Sequence, residues 1–271
     1  MPLFSAVAPL PVNRIKNRLF DPDARDYILR VEAADGERLE SQVRGAINAF
    51  VLGCKADGIW TSLVTSCIMA GARTVAGAIT PLVGNAPTNN NFVIGDYSRT
   101  LGLLSNDSNK YLATGYNTAD TTNFPQNNCH LACYVSVSQT DSGGTLLGGP
   151  TGSGYRLLLQ YNTTTNIQAR NRGTVAGSNI LAPLGFQGTS RNNSANFECR
   201  FTSSLGVGGS SIVTSASGNP TSDLIGVFAT GVGGSVSAVR MSFYSMGKSL
   251  SLSLLDFRVT TLMNTLASVI A

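Results

Sequence analysis

Residues 129–137, Cys129-His130-Leu131-Ala132-Cys133-Tyr134-Val135-Ser136-Val137, form an apolar run that reads as a strand with a two-residue period and places Cys129 and Cys133 on one face. The same period recurs at 111–116, 155–161, 167–172, 196–201, 212–215, 224–229 and 236–244. Turn-forming clusters separate these stretches, among them Asp141-Ser142-Gly143-Gly144 and Val232-Gly233-Gly234-Ser235. Parallel strands would need crossover helices, and no helical pattern interrupts this region. The sequence therefore predicts a mainly β chain whose body is an antiparallel sandwich of jelly-roll type.

Composition agrees with that reading. Glycine supplies 29 of 271 residues and only 13% are charged, as expected for many short strands joined by tight polar turns. The net charge of +4 comes from scattered Lys and Arg with no basic run, so nucleic acid is not implied as a partner. Cys54, Cys67, Cys129, Cys133 and Cys199 are odd in number in a chain long enough to build its own core, so a disulfide framework is not required, and synthesis in a reducing cytoplasm fits. Residues 1–11 lack the apolar core of a secretory signal and are interrupted by Pro2, Pro9 and Pro11. No stretch reaches the roughly 18 uninterrupted apolar residues that membrane insertion as a helix requires.

The first 60 residues are different material, with eight Lys/Arg and eight Asp/Glu, against eleven and seven in the remaining 211. Asp21-Pro22 reads as a helix cap and first helical position, opening a short helix through Tyr27, Ile28 and Val31 that stops near Asp35-Gly36. A second helix is expected from about Glu37, with Leu39, Val43, Ala46, Ile47, Phe50 and Cys54 on its apolar face and Gly58 at its end. Ile59, Trp60, Leu63, Val64, Cys67 and Ile68 repeat helical spacing and predict a third. The chain closes with an amphipathic helix capped by Ser249 or Ser251, whose Leu252, Leu255, Val259, Leu262, Leu266 and Val269 make a narrow apolar seam. The seam either packs on the body of the chain or joins subunits. The expected organisation is an attachment arm with a short helix (1–36), a helical segment packed on the sandwich (37–90), and the sandwich with its terminal helix (91–271).

Several stretches taken in order resemble a family of bacteriophage virion structural proteins with a concanavalin A-like (LamG-like) jelly-roll domain. They are Ala49-Phe50-Val51-Leu52-Gly53-Cys54-Lys55-Ala56-Asp57-Gly58-Ile59-Trp60, Gly95-Asp96-Tyr97, and the run from Leu103-Leu104-Ser105 to Lys110-Tyr111-Leu112. Gly188-Thr189-Ser190-Arg191, Phe243-Tyr244-Ser245-Met246-Gly247-Lys248 and Leu254-Leu255-Asp256-Phe257-Arg258-Val259 continue it, so that it covers roughly residues 40–271. The resemblance implies a virion component assembled in the host cytoplasm: a tail fibre or tail-associated protein that binds host surface glycan, or a capsid decoration protein. It also implies other virion proteins as partners, and virion fibres and decorations commonly form homotrimers.

The residues offer little for bond-breaking. Glycoside hydrolysis needs two carboxylates across the scissile bond, yet Glu198 is the one glutamate after Trp60 and no Asp or Glu lies two residues from another on a strand. His130, the sole histidine, sits inside a strand with no nucleophile elbow near it, and a structural role is expected. Cys129 and Cys133 lack the close pairs of a zinc site, and the loop 106–109, with one carboxylate, reads as a turn before a calcium site, so no metal or cofactor is assigned. No residue receives a catalytic role. Sugar recognition pairs an aromatic face with Asn, Asp and backbone donors, and the loops 116–128 and 161–166 offer these. Tyr116, Asn117, Asp120, Tyr161 and Asn162 are the candidate ligand-binding residues.

Overall fold

The structure is a computed structural model that describes residues 20–138, 143–149, 154–163, 166–179, 184–202, 208–231 and 233–270. Residues 1–19 of the expected arm, Asp141 and Ser142 of one turn cluster and Val232 of another lie outside them.

Helices α1 (Pro22–Asp35) and α2 (Ser41–Ala56) are followed by strand β1 (Leu63–Ile68), the one-turn helix α3 (Val75–Ala78), and strands β2 (Pro81–Val83), β3 (Thr88–Asn90), β4 (Tyr97–Ser98), β5 (Gly102–Leu104) and β6 (Tyr111–Asn117). Strands β7 (Cys129–Val137), β8 (Thr145–Gly149), β9 (Arg156–Thr163), β10 (Asn166–Gly173) and β11 (Gly177–Asn179) come next. Then come β12 (Gly185–Arg191), β13 (Asn196–Thr202), β14 (Gly208–Thr214), β15 (Leu224–Val227) and β16 (Arg240–Gly247), and helix α4 (Leu252–Val269) closes the chain.

The strands form two sheets. One runs β14-β13-β12-β7-β16-β1-β2, with β5 also paired to β16 and β4 to β5; the other runs β11-β10-β9-β8-β15-β6-β3. All pairings of these strands are antiparallel. The chain is a mainly β sandwich with helices against one face.

Strand β7 shows why. Its Cys129, Leu131, Cys133 and Val135 enter the core between the sheets, with Leu147, Leu159 and Phe197. Its Ala132 and Tyr134 join the opposite core with Phe50, Phe243 and Leu252, beneath the helices. A strand buried on both faces needs apolar residues at both phases of its period, which is why this run is so nearly continuous.

Helix α1 forms as its ends dictate. The Asp21 carboxylate accepts from the Asp23 amide at 3.0 Å, Pro22 takes the first turn, and Gly36 (φ 70°) turns the chain out in the left-handed conformation. Ala24, Tyr27, Ile28 and Val31 are buried, and the Tyr27 hydroxyl reaches the Ile68 carbonyl. This corrects the expected arm for its helical part, because α1 belongs to the core.

The third expected helix is also corrected. Trp60–Ser62 is a single 3-10 turn, and residues from Leu63 form β1, in register with β16 through Cys67↔Tyr244 and Ile68↔Phe243. Cys67 faces the inter-sheet core and Ile68 the helices, so the short run is apolar on both sides and mimics helical spacing. The segment 37–90 consequently contributes β1, β2 and β3 to the two sheets and is no separate helical layer.

Helix α4 begins at Ser251, whose hydroxyl accepts from the Leu254 amide. Leu252, Leu255, Val259, Leu262 and Leu266 are buried among α1, α2 and the first sheet, and Val269 packs on the same cluster. The seam offered as a contact between subunits is closed within the chain, so an assembly of copies, a trimer included, must use another surface.

Candidate functional site

Connections 117–128, 173–177, 191–196, 214–224 and 248–251 gather at one end of the sandwich, and two buried arginines organise it. Arg172 Nη2 donates to the carbonyls of Thr118 (3.0 Å), Asp120 (3.5 Å) and Phe124, and Nη1 to Asn219 Oδ1 (3.1 Å). Arg191 donates through Nε to the Asn171 carbonyl (2.7 Å) and through Nη1 and Nη2 to those of Asn193 (3.1 Å) and Ser215 (2.9 Å), with Phe197 beneath its guanidinium. A buried guanidinium gains by spending its donors, and here backbone carbonyls of neighbouring connections take most of them, cross-linking the loop end, while Arg172 Nε is left without a partner among the described residues.

Three of the five expected ligand-binding residues lie at this end, engaged in its structure. The Asn117 side chain accepts from the Ala119 amide and donates to Ser222 Oγ. Asp120 accepts from the amides of Thr122 and Asn123 and from the Asn123 side chain. Burial alone would push the Asp120 carboxyl up, but those hydrogen bonds and the nearby Arg172 charge outweigh it and hold it below its ordinary value. The Tyr116 ring packs edge-on against Phe124 at 5.7 Å. Tyr161 is 2% exposed, inside the inter-sheet core, and pairs with Ile167 toward the opposite end, so its ligand-binding role is corrected. The side chain of Asn162 lies outside the described residues.

The residues that do line open space were not expected. A groove of about 430 Å³ is bounded by Ser190, Asn192, Asn196 and Glu198 on the sheet side, Ile212 at one edge, and Ser249, Leu250 and Ser251 across from them. Its floor follows a cross-strand row, Ile212↔Glu198↔Ser190↔His130, on the helix side of the first sheet. Asn193 Nδ2 donates to the Oδ1 atoms of both Asn192 and Asn196 at 2.9 Å, leaving their –NH2 groups unengaged among the described residues. The Glu198 carboxylate likewise has no hydrogen bond or ion pair among them, and Ile212 is 66% exposed.

The opposite wall is the strap 248–251 between β16 and α4, tied down along its length. Ser190 Oγ donates to the Leu250 carbonyl (2.9 Å) and accepts from its amide (3.2 Å), and Asn128 Oδ1 accepts from the amide and hydroxyl of Ser249 (2.7 and 2.6 Å). Ser62 Oγ donates to the Ser249 carbonyl at 3.1 Å. His130, fully buried, lies 2.6 Å from the Lys248 carbonyl through Nδ1 and 2.8 Å from Ser245 Oγ through Nε2. The carbonyl requires a proton on Nδ1, so Nε2 accepts from the serine. Burial pushes the imidazole down to about 4, so it is a neutral structural tie.

Two other grooves are less suited to a polar ligand. The one near Trp60 holds Asp23, Asp26 and Arg30, but Asp26 is paired with Arg30 and Asp23 with Lys55. The one between α2 and α4 is lined mainly by Gly45, Ala46, Ala49, Phe50 and Leu262. The five cysteines are buried free thiols, and burial raises Cys129 to about 11 and Cys67 to about 12, opposite to what a nucleophile needs. The loop 106–109 closes on itself, with Asn106 Oδ1 accepting the amides of Ser108, Asn109 and Lys110. Among the described residues no three His, Cys, Asp or Glu side chains converge on a metal position, and no helix is long and apolar enough to cross a membrane.

No protein-family profile and no curated protein matches this chain. Among solved structures it is similar to Trypanosoma rangeli sialidase in complex with 2,3-difluorosialic acid, at 13% identity and a TM-score of 0.46, over 89% of this chain and 38% of the sialidase. A leech intramolecular trans-sialidase matches at 10% identity and a TM-score of 0.36, over 55% of this chain and 26% of that one. A Shewanella oneidensis protein of unknown function matches at 13% and 0.35, over 61% of this chain and 76% of that one. The chain thus spans little more than a third of the sialidase's length.

Proposed function

We propose that this chain is a glycan-binding, non-hydrolytic sandwich of concanavalin A-like jelly-roll type that serves in a phage virion as a tail-associated host-attachment protein. The observation that carries the binding role is the groove of Asn192, Asn196 and Glu198, which offers two carboxamide –NH2 groups and a carboxylate, unengaged among the described residues, on a cross-linked platform. Sugars are recognised by such planar donors and acceptors held rigid before the ligand arrives. Hydrolysis of the usual kind needs a second carboxylate within about 5–9.5 Å, and among the described lining residues Glu198 stands alone. The virion assignment is supported by the ordered resemblance along residues 40–271.

A glycan array probed with purified protein tests the reading, with Asn192→Ala and Asn196→Ala as controls. Binding to a restricted set of glycans, weakened at least tenfold in either variant, and competition with particles for host cells are the expected results. Release of cleaved sugar, or binding indifferent to both substitutions, overturns it.

A further inference from the structure

Resting on the glycan-binding reading, we infer that Glu198 sets the class of sugar: the groove takes a hydroxyl-rich ligand without negative charge and prefers one carrying a free amine. Glu198 is the one charged residue among the described groove-lining residues. The nearest cation along its strand, Arg200, is committed elsewhere, with Nε on Asp256 at 2.8 Å and Nη1 on Ser210 Oγ at 3.3 Å. The carboxylate therefore faces the groove without an internal counter-ion.

The features that would suit an anion are the neutral –NH2 donors of Asn192 and Asn196, which serve hydroxyl oxygens equally, and the start of α4 at Ser251, whose Leu254 amide is already taken by the Ser251 hydroxyl at 3.4 Å. An ammonium beside Glu198 would gain a charge-assisted hydrogen bond to the carboxylate, roughly twice as strong as a neutral one, while the free –NH2 groups of Asn192 and Asn196, which only donate, take hydroxyl oxygens of the sugar. A sugar carboxylate there would face a like charge. Because the whole chain carries +4, unspecific attraction runs against a cationic ligand, so any preference for one must originate locally.

The test uses the full chain and three probes in calorimetry: glucosamine oligomers, the same oligomers N-acetylated, and sialyllactose. The native protein is expected to bind the free amine at least tenfold more tightly than its acetylated counterpart, and sialyllactose most weakly. Glu198→Gln, checked for an unchanged melt, should bring the first ratio close to one. Asn192→Ala should weaken both oligomers while keeping their ratio. A ratio unmoved by Glu198→Gln, or strongest binding to sialyllactose, overturns this inference and leaves the glycan-binding reading standing if Asn192→Ala still weakens binding. Failure of all three probes to bind removes this inference, while the glycan array decides the binding reading by itself.

Discussion

Asp57 and Arg258, 201 residues apart in sequence, are joined by two hydrogen bonds, Nε to Oδ2 at 2.7 Å and Nη2 to Oδ1 at 2.8 Å. The pair ties the end of α2 to α4, and the guanidinium at its side holds the Asp57 carboxyl below its ordinary value. Arg258 reaches Asp57 through the space beside Gly53, where a Cβ would stand 2.8 Å from its Cδ, Nε and Cζ. The spacing Gly53-x-x-x-Asp57 and its partner Arg258 are therefore one helix-packing device that carries no reaction chemistry. Alanine in a helix interior ordinarily gains about 1 kcal/mol over glycine. Gly53→Ala should instead lower the melting temperature, because Arg258 must shift. In an Arg258→Ala background the same substitution should become stabilising by about 1 kcal/mol, a non-additivity that a double-mutant cycle measures. Additive effects would refute the packing account.

Leu262 is 2% exposed in the core beneath the helices. Leu262→Ala should destabilise the chain by about 3 kcal/mol, the usual range for an emptied leucine site, and leave the native molar mass in light scattering unchanged. A change of mass with stability intact would restore the seam to a contact between copies.

Both outcomes bear on what can be read from the residues. Helices α1 and α4 were legible because Asp21-Pro22, Gly36 and Ser251 mark their ends and a single apolar face marks their sides. Strand β1 was not, since a six-residue run buried on both faces carries no usable period. Strand β12, Gly185–Arg191, escaped because its Gln, Thr and Ser are buried and its Gly188 lies against Phe186 and Leu252, where no larger residue fits. The groove was invisible for a different reason. Glu198, Ser190 and Ile212 become neighbours through strand pairing alone, while the nearer signal, the Asn192-Asn193-Ser194-Ala195-Asn196 turn, reads like any polar loop. Tyr161 failed in the opposite sense: polar neighbours suggested a loop, whereas register with Ile167 turns its ring inward.

Arg172 should be the anchor of the loop 118–124. Arg172→Met keeps much of its volume but leaves the carbonyls of Thr118 and Phe124 without the guanidinium donor and that of Asp120 with the Phe124 amide alone. A loss of about 3 kcal/mol is expected, since each orphaned buried acceptor costs about 1–3 kcal/mol and the loop recovers part by opening to water. Limited proteolysis should then cut first within 118–128. A variant as stable and as protease-resistant as the native chain would show that the guanidinium is dispensable.

His130 makes stability depend on pH in a defined window. Its folded value lies near 4, below the ordinary 6.5, so the unfolded chain binds a proton that the folded chain refuses. The stabilisation is complete above about 6.5 and is lost as pH falls toward 4, amounting to about 3 kcal/mol at most. Carboxylates held below their ordinary values, Asp96 and Asp120 among them, add their loss only in more acid solution. The melting temperature should therefore drop between pH 7 and pH 5, before the acidic groups titrate. His130→Gln removes the titrating group and should flatten that part of the curve, although its starting stability is lower because the tie from the Lys248 carbonyl must be rebuilt. If the native protein melts at the same temperature at pH 7 and pH 5, the imidazole is not the buried neutral tie that holds the strap against the sheet.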